Sequence, residues 1–269
     1  MSMRSANREE IHKNTPDGRV IIHKACHAGE QEALTALRKN GFTDCPEFLG
    51  VDSGGQAYYA VPSGYTADEN ARMTKKQFLH FMRMLRRMHD ASRPVPGEDW
   101  VICHHNLSPQ SVLFDLPCDY LGSLPRAVIA WDFCGPGHRW EDIVFVCWLW
   151  LGIGGVPSDG ERYRDFPFPP NDADILQTIR EGLDAYAGED RQLRWEIGRD
   201  FDGRLGARME AVMVFTEENK GDILKTRRLV NAGQQWVANH RGELRKAAEI
   251  ECPPVIQRRE KTDRGKEKC

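Results

Sequence analysis

Hydrophobic spacing divides the chain into two differently patterned stretches. β-Branched residues cluster at 19–23 (Arg-Val-Ile-Ile-His) behind the turn residues Pro16-Asp17-Gly18, which predicts a strand. Ala33, Leu34 and Leu37 then share one face of a helix predicted over 29–40 and closed by Asn40-Gly41. Strands are expected at 47–51 and 57–62 around Ser53-Gly54-Gly55, and Pro62-Ser63-Gly64 reads as a linker. Phe78, Phe81, Met82, Leu85 and Met88 recur at helical spacing and predict a helix over 74–91 with Thr74 as its N-cap. Such a stripe of methionine and aromatic residues serves a core. Residues 93–97 read as a loop. Short apolar runs at 101–103, 112–114 and 127–131 predict strands, the last two joined by a hairpin loop over 115–126. Beyond Trp140 the pattern is helical, with helices expected at 143–151, 172–186, 193–217 and 221–248.

This order gives an α/β (α+β) chain of two lobes. Residues 1–62 form a small mixed lobe, residues 63–252 a larger, mostly helical lobe with a short hairpin near its start, and residues 253–269 a tail. The tail holds six basic and three acidic residues with almost nothing apolar after Ile256, so it is expected to be disordered.

Composition narrows the function classes. With 40% hydrophobic and 29% charged residues the chain is an ordinary globular one. A net charge of -3 supplies no global basic field, so nucleic acid is not an expected partner. The most apolar stretch, residues 143–155, is too short to span a bilayer, so no membrane partner is expected either. The polar start, Met1 to Glu10, has no apolar core of a secretory signal, which makes a cytoplasmic protein the expectation. Eight cysteines include no C-x-x-C pair and are expected to be reduced, mostly buried thiols.

Two segments carry the chemistry. The first is His104-His105-Asn106-Leu107-Ser108-Pro109-Gln110-Ser111-Val112-Leu113-Phe114. The second is Val128-Ile129-Ala130-Trp131-Asp132-Phe133-Cys134-Gly135-Pro136-Gly137-His138-Arg139-Trp140-Glu141-Asp142. Together they resemble the aminoglycoside-phosphotransferase family, whose members typically read His-x-Asp-x-x-x-x-Asn and then Val-Ile-Asp-Trp-Asp-Phe-x-Gly-Pro-Gly-x-x-x-x-Asp. Upstream, Asn40-Gly41-Phe42, Pro46 to Asp52 and Leu85 to Asp90 are similar as well, so the resemblance runs from Val20 to Ala248. It implies a bilobal, protein-kinase-like fold. It also implies phosphoryl transfer to a small-molecule hydroxyl, with ATP and magnesium as cofactors if that activity holds.

The motif residues depart from what that reaction needs. Phosphoryl transfer requires a carboxylate to orient the acceptor hydroxyl, and an amide and a second carboxylate to hold magnesium against the phosphates. In the resemblance the base position falls on Asn106, the amide ligand on Ser111 and the main metal-binding acid on Ala130. His104 matches a histidine that holds the loop, and Asp142 an acid that accepts hydrogen bonds from it. Asp132 is the remaining candidate cation ligand. Lys24 is a candidate phosphate contact and Glu30 its partner, with His23 and His27 competing for the register. Only 23 residues precede Lys24, and Gly18 is the only glycine among them, which leaves little chain for an amide-lined phosphate cover.

Three readings follow. The first is a degenerate, pseudokinase-like protein that binds a small molecule, a nucleotide without magnesium or a protein partner. The second is a working phosphotransferase that takes its metal on Asp132 and uses another acid, such as Glu141, as base. The third is a cleft repurposed for other acid–base chemistry through His105, His138 or Cys134.

Overall fold

The computed structural model describes residues 10–14, 18–25, 27–67, 73–92, 100–117, 122–155 and 172–253. The β-branched run at the start becomes the centre of a four-stranded antiparallel sheet. Its strands are β1 (Glu10–Asn14), β2 (Val20–Ala25), β3 (Glu47–Val51) and β4 (Gln56–Val61), in the order β1-β2-β4-β3. Between β2 and β3 runs α1 (Ala28–Lys39), which buries Ala33, Leu34 and Leu37 as its spacing predicts.

β1 is a strand that the sequence did not announce, because Glu10 to Asn14 carries a single apolar residue. It pairs antiparallel with the lysine strand β2. Its antiparallel register pairs Glu10 with His23 and Asn14 with Val20. Asn14, where β1 ends, thus stands at the Val20 end of β2, four residues and roughly 13 Å of strand from Lys24.

The stretch read as a linker leads straight into β5 (Tyr65–Thr66), followed by α2 (Lys75–Ala91). The methionine and aromatic stripe of α2 is buried throughout, and Thr74 caps it through a reciprocal pair of bonds with Gln77. Then come β6 (Trp100–Cys103), a short 3-10 turn at Pro109–Ser111, β7 (Val112–Phe114), β8 (Pro125–Val128) and β9 (Gly135–His138). β5, β7 and β8 form one small sheet, and β6 and β9 form a ribbon. Gly64 is needed where the chain enters β5, since a Cβ there would stand 2.8 Å from the Phe114 carbonyl oxygen. The strand expected over 127–131 stops at Val128, because Ala130 turns to φ 62° and Trp131 folds back to donate its indole N–H to the Val128 carbonyl.

The rest is helical: α3 (Arg139–Trp150), α4 (Asp172–Ala187), α5 (Arg191–Gly198), α6 (Phe201–Glu218), α7 (Ile223–Asn239) and α8 (Arg241–Ala248). Two helices expected to be continuous are each broken in two. The first breaks at Asp200, which takes φ 51°, and the second at His240, whose ring Nδ1–H donates to the Trp236 carbonyl at 2.9 Å. The core lies where α2, α3, α4 and α6 meet, with Phe81 stacked on Trp150 at 4.2 Å.

Among the described residues Cys45, Cys103 and Cys147 are buried, Cys134 is half-buried and Cys252 exposed, and all are free thiols. No helix among them is long and apolar enough to cross a membrane. The polar start before Glu10, the loop at 93–97 and the tail from 254 onward lie outside the described residues.

Candidate functional site

The first anchor of the site is the buried carboxylate of Asp142, in the first turn of α3. One oxygen accepts the backbone N–H of His104 at 2.8 Å, and the other that of His105 at 2.9 Å. His89, near the end of α2, adds a third bond from Nε2 at 3.2 Å. Its Nδ1 lies 2.7 Å from the Tyr186 hydroxyl, which in turn accepts from Arg139 at 3.0 Å. This chain fixes the His89 tautomer: Nε2–H donates to Asp142, and Nδ1 accepts from Tyr186. Burial raises the Asp142 carboxyl, but the His89 hydrogen bond and the neighbouring imidazoles outweigh it and hold the group below the ordinary carboxylate range. Three helices thereby hold one loop.

The loop follows. The His104 ring is buried, with Nε2 donating to the Ile129 carbonyl at 2.8 Å and Nδ1 accepting from the Asn106 N–H at 3.2 Å. Burial pushes this imidazole down to about 4 from its ordinary 6.5. Protonation would also destroy the acceptor at Nδ1. Between these two values the unfolded chain binds a proton that the folded chain refuses, so stability falls as pH drops from 6.5 toward 4. We expect about 3 kcal/mol of acid destabilisation from this one group. Urea unfolding at pH 7 and pH 4.5 of the parent and of His104→Gln checks it. The variant should lose much of the difference, and equal pH slopes would show that His104 does not carry it.

His105 and Ala130 both take left-handed backbone, at φ 61° and 62°. Two such non-glycine residues in neighbouring loops mark a strained, well-determined site. Asn106, at the base position, is 0% exposed, and among the described residues neither its amide oxygen nor its amide nitrogen has a hydrogen-bond partner. The Ser111 hydroxyl donates to the Asn106 carbonyl at 2.6 Å and lies 3.3 Å from the Ser108 hydroxyl. It braces the loop.

The second anchor joins the sheet to this loop. Lys24 is 2% exposed, and its Nζ sits 2.8 Å from Glu30 and 2.7 Å from Asp132. The Tyr59 hydroxyl donates to the second Glu30 oxygen at 3.3 Å, and the Lys24 ammonium lies 5.3 Å from the Tyr59 ring centroid. Burial lowers the Lys24 ammonium, but the two carboxylates more than offset it and keep the group charged. Burial raises Glu30. Of the three candidates, Lys24 is the one that meets both acids: His23 faces Asp52 at 3.2 Å, and His27 stands 3.9 Å from Asp132.

These donors do not fit magnesium. The ion wants several oxygens in octahedral array. Ala130 offers none, the Ser111 hydroxyl is taken by the loop, and an Asp132 oxygen is held by Lys24. Among the described residues the one cluster of three metal-ligating atoms is His89, Cys103 and Asp142, which is the buried scaffold itself.

Beside the loop opens a cavity of about 450 Å³, lined by His105, Phe133 and the α6 residues Arg208, Val212, Phe215 and Glu218. Arg208 donates to the His105 carbonyl and lies over the Phe145 ring at 5.1 Å. His105 also approaches Glu141 at 3.6 Å. His138 instead stacks on Trp100 at 4.5 Å and lines a separate groove with Trp140 and Arg204. The two histidines thus face different clefts. Burial pushes the Cys134 thiol up to about 12, so it is no ready nucleophile. Arg208, Tyr186 and Tyr59 were not singled out from the sequence, since no local motif marks them, and His89 lies in the family-like stretch 85–90 without a role assigned to it.

No protein-family model matches the chain, and no curated protein matches it. Solved structures do. A microcompartment-associated aminopropanol kinase superposes with a TM-score of 0.55 at 10% identity, over 91% of this chain and 94% of its own. A spectinomycin phosphotransferase in complex with ADP and spectinomycin gives 0.52 at 11% identity, over 91% and 92%. A choline kinase from Streptococcus pneumoniae gives 0.51 at 13% identity, over 86% and 89%. At such identities the likeness establishes the fold. The chain has the bilobal, protein-kinase-like fold of these small-molecule kinases, as the two motifs implied.

Proposed function

We propose that this protein binds a small molecule, or a nucleotide without magnesium, in a kinase-like cleft, and that it does not transfer phosphoryl groups. The carrying observation is the contact between Lys24 and Asp132 at 2.7 Å. It engages the single acid left at the metal position, while Asn106 supplies no base and Ala130 no ligand. The solved structures of this fold include one holding ADP and a small-molecule substrate, which supports a cleft suited to such ligands. The ligand would occupy the cavity beside the His105 loop, whose lining belongs to the larger lobe read over 63–252.

A competing reading keeps phosphoryl transfer and places the metal on Asp132. It is favoured by the position of that carboxylate at the Lys24–Glu30 pair. A turnover assay with ATP, magnesium and a panel of alcohol and amino-alcohol acceptors separates the two. We expect no ADP release above background from the parent protein. Restoring the motif with Asn106→Asp, Ser111→Asn and Ala130→Asp together should create magnesium-dependent turnover. Aspartate is among the residues that best tolerate the left-handed backbone at position 130. Turnover by the parent that vanishes in Asp132→Ala would overturn the proposal.

A further inference from the structure

The cavity beside the loop has a charge pattern of its own. Arg208, Val212 and Phe215 stand at i, i+4 and i+7 on α6 and face it together. Phe133 closes the opposite wall, meeting Phe215 edge to face at 4.9 Å. The Arg208 guanidinium is held in place by the His105 carbonyl below one nitrogen and by the Phe145 ring beneath its plane. No carboxylate among the described residues pairs with it, and its Nε is buried without a partner. The one acid in the lining, Glu218, lies ten residues further along the helix, roughly 15 Å away.

From this placement we infer that the cleft selects small molecules with an anionic group, a carboxylate or a phosphate ester, on a flat apolar body. The anion would sit on the Arg208 fork next to the His105 loop, and the body would lie against Phe133 and Phe215. A half-buried guanidinium without a counter-charge attracts such a group and repels a cation. Phe215 lies seven residues, or roughly 10 Å, along the same helix, with the Phe133 ring against it, within reach of one drug-sized ligand. The inference rests on the cleft being a ligand site and is independent of whether phosphoryl transfer occurs.

The test uses the full chain and four probes, phenylacetate, phenyl phosphate, phenethylamine and benzyl alcohol, followed by saturation-transfer NMR and calorimetric titration. We expect at least one of the two anions to bind roughly tenfold more tightly than the amine and the alcohol. Comparison of the two anions tells carboxylate from phosphate. Arg208→Met, which keeps the apolar stem, should abolish the preference, whereas Arg208→Lys should retain part of it. Should Arg208→Met fail to fold, the parent protein's own ranking of the probes decides. Equal or tighter binding of the amine, or no binding of either anion at millimolar concentration, overturns the inference. Magnesium-dependent ATP turnover together with an anion preference would contradict the non-transferring reading and leave this one standing. An amine preference without turnover would do the reverse.

Discussion

Replacing Asp142 with alanine is expected to destabilise the fold by about 3–5 kcal/mol. The carboxylate is buried and serves three donors: the backbone N–H groups of His104 and His105 and the ring of His89. Removing it strands all three away from water, at about 1–3 kcal/mol each before relaxation. It also releases the connection from α3 to α2 and, through Tyr186, to α4. Asp142→Asn should lie between, because an amide has one oxygen to offer and turns its N–H₂ toward a donor. Urea denaturation of the two variants gives the midpoints directly. A loss below about 1 kcal/mol for alanine would mean that the loop is held by packing rather than by this acid.

The second large effect is expected at Lys24. Lys24→Met keeps the volume and removes the charge, leaving Glu30 and Asp132 close together in a nearly closed site. Breaking such a buried set from one side costs about 3–5 kcal/mol, most of it the penalty of uncompensated charge. The sign of the pH dependence follows. Without the ammonium the buried Glu30, already raised by burial, loses its counter-charge and faces Asp132, so folding takes up a proton as pH falls. The destabilisation should therefore be largest at pH 7 and shrink toward pH 5. Adding Glu30→Gln and Asp132→Asn should recover part of the loss at pH 7 and flatten the pH response. Chemical unfolding at the two pH values reads both effects. A Lys24→Met protein as stable as its parent would show that the triad is not a structural anchor.

The elements legible in the sequence are those whose local pattern agrees with their final environment. α2 shows the helical stripe that its burial demands, and β2 the branched residues that a central strand prefers. β1 and β9 were hidden for opposite reasons. The first is polar and gains its pairing from β2 alone, while the second reads Gly-Pro-Gly-His, a turn by composition. The helix breaks at Asp200 and His240 have a glycine nearby, Gly198 and Gly242, but no proline, and a lone glycine does not fix a helix end, so tertiary contacts decide them. At the first, Arg194 donates to the Ala248 carbonyl, tying α5 to the end of α8.

The site divides in the same way. His104, Asp132 and Asp142 were singled out because they lie in the two motifs, and Lys24 and Glu30 because they follow the first strand and face the core side of the next helix. Arg208 and Tyr186 were not, since each comes to the loop from a helix about a hundred or more positions away or from the far side of the core. The isolation of the Asn106 amide also had no sequence signal. It depends on what surrounds the side chain, which one residue type cannot show.

The central claim is that the cleft lacks a magnesium–nucleotide site. The most direct test is a thermal-shift titration of the purified protein with ATP, with and without magnesium. A ligand that binds only the folded state raises the melting temperature by mass action. No shift, or a shift of the same size in both conditions, is expected, because Asp132 is engaged by Lys24 and Ala130 offers no ligand. A rise in melting temperature that requires magnesium would contradict it.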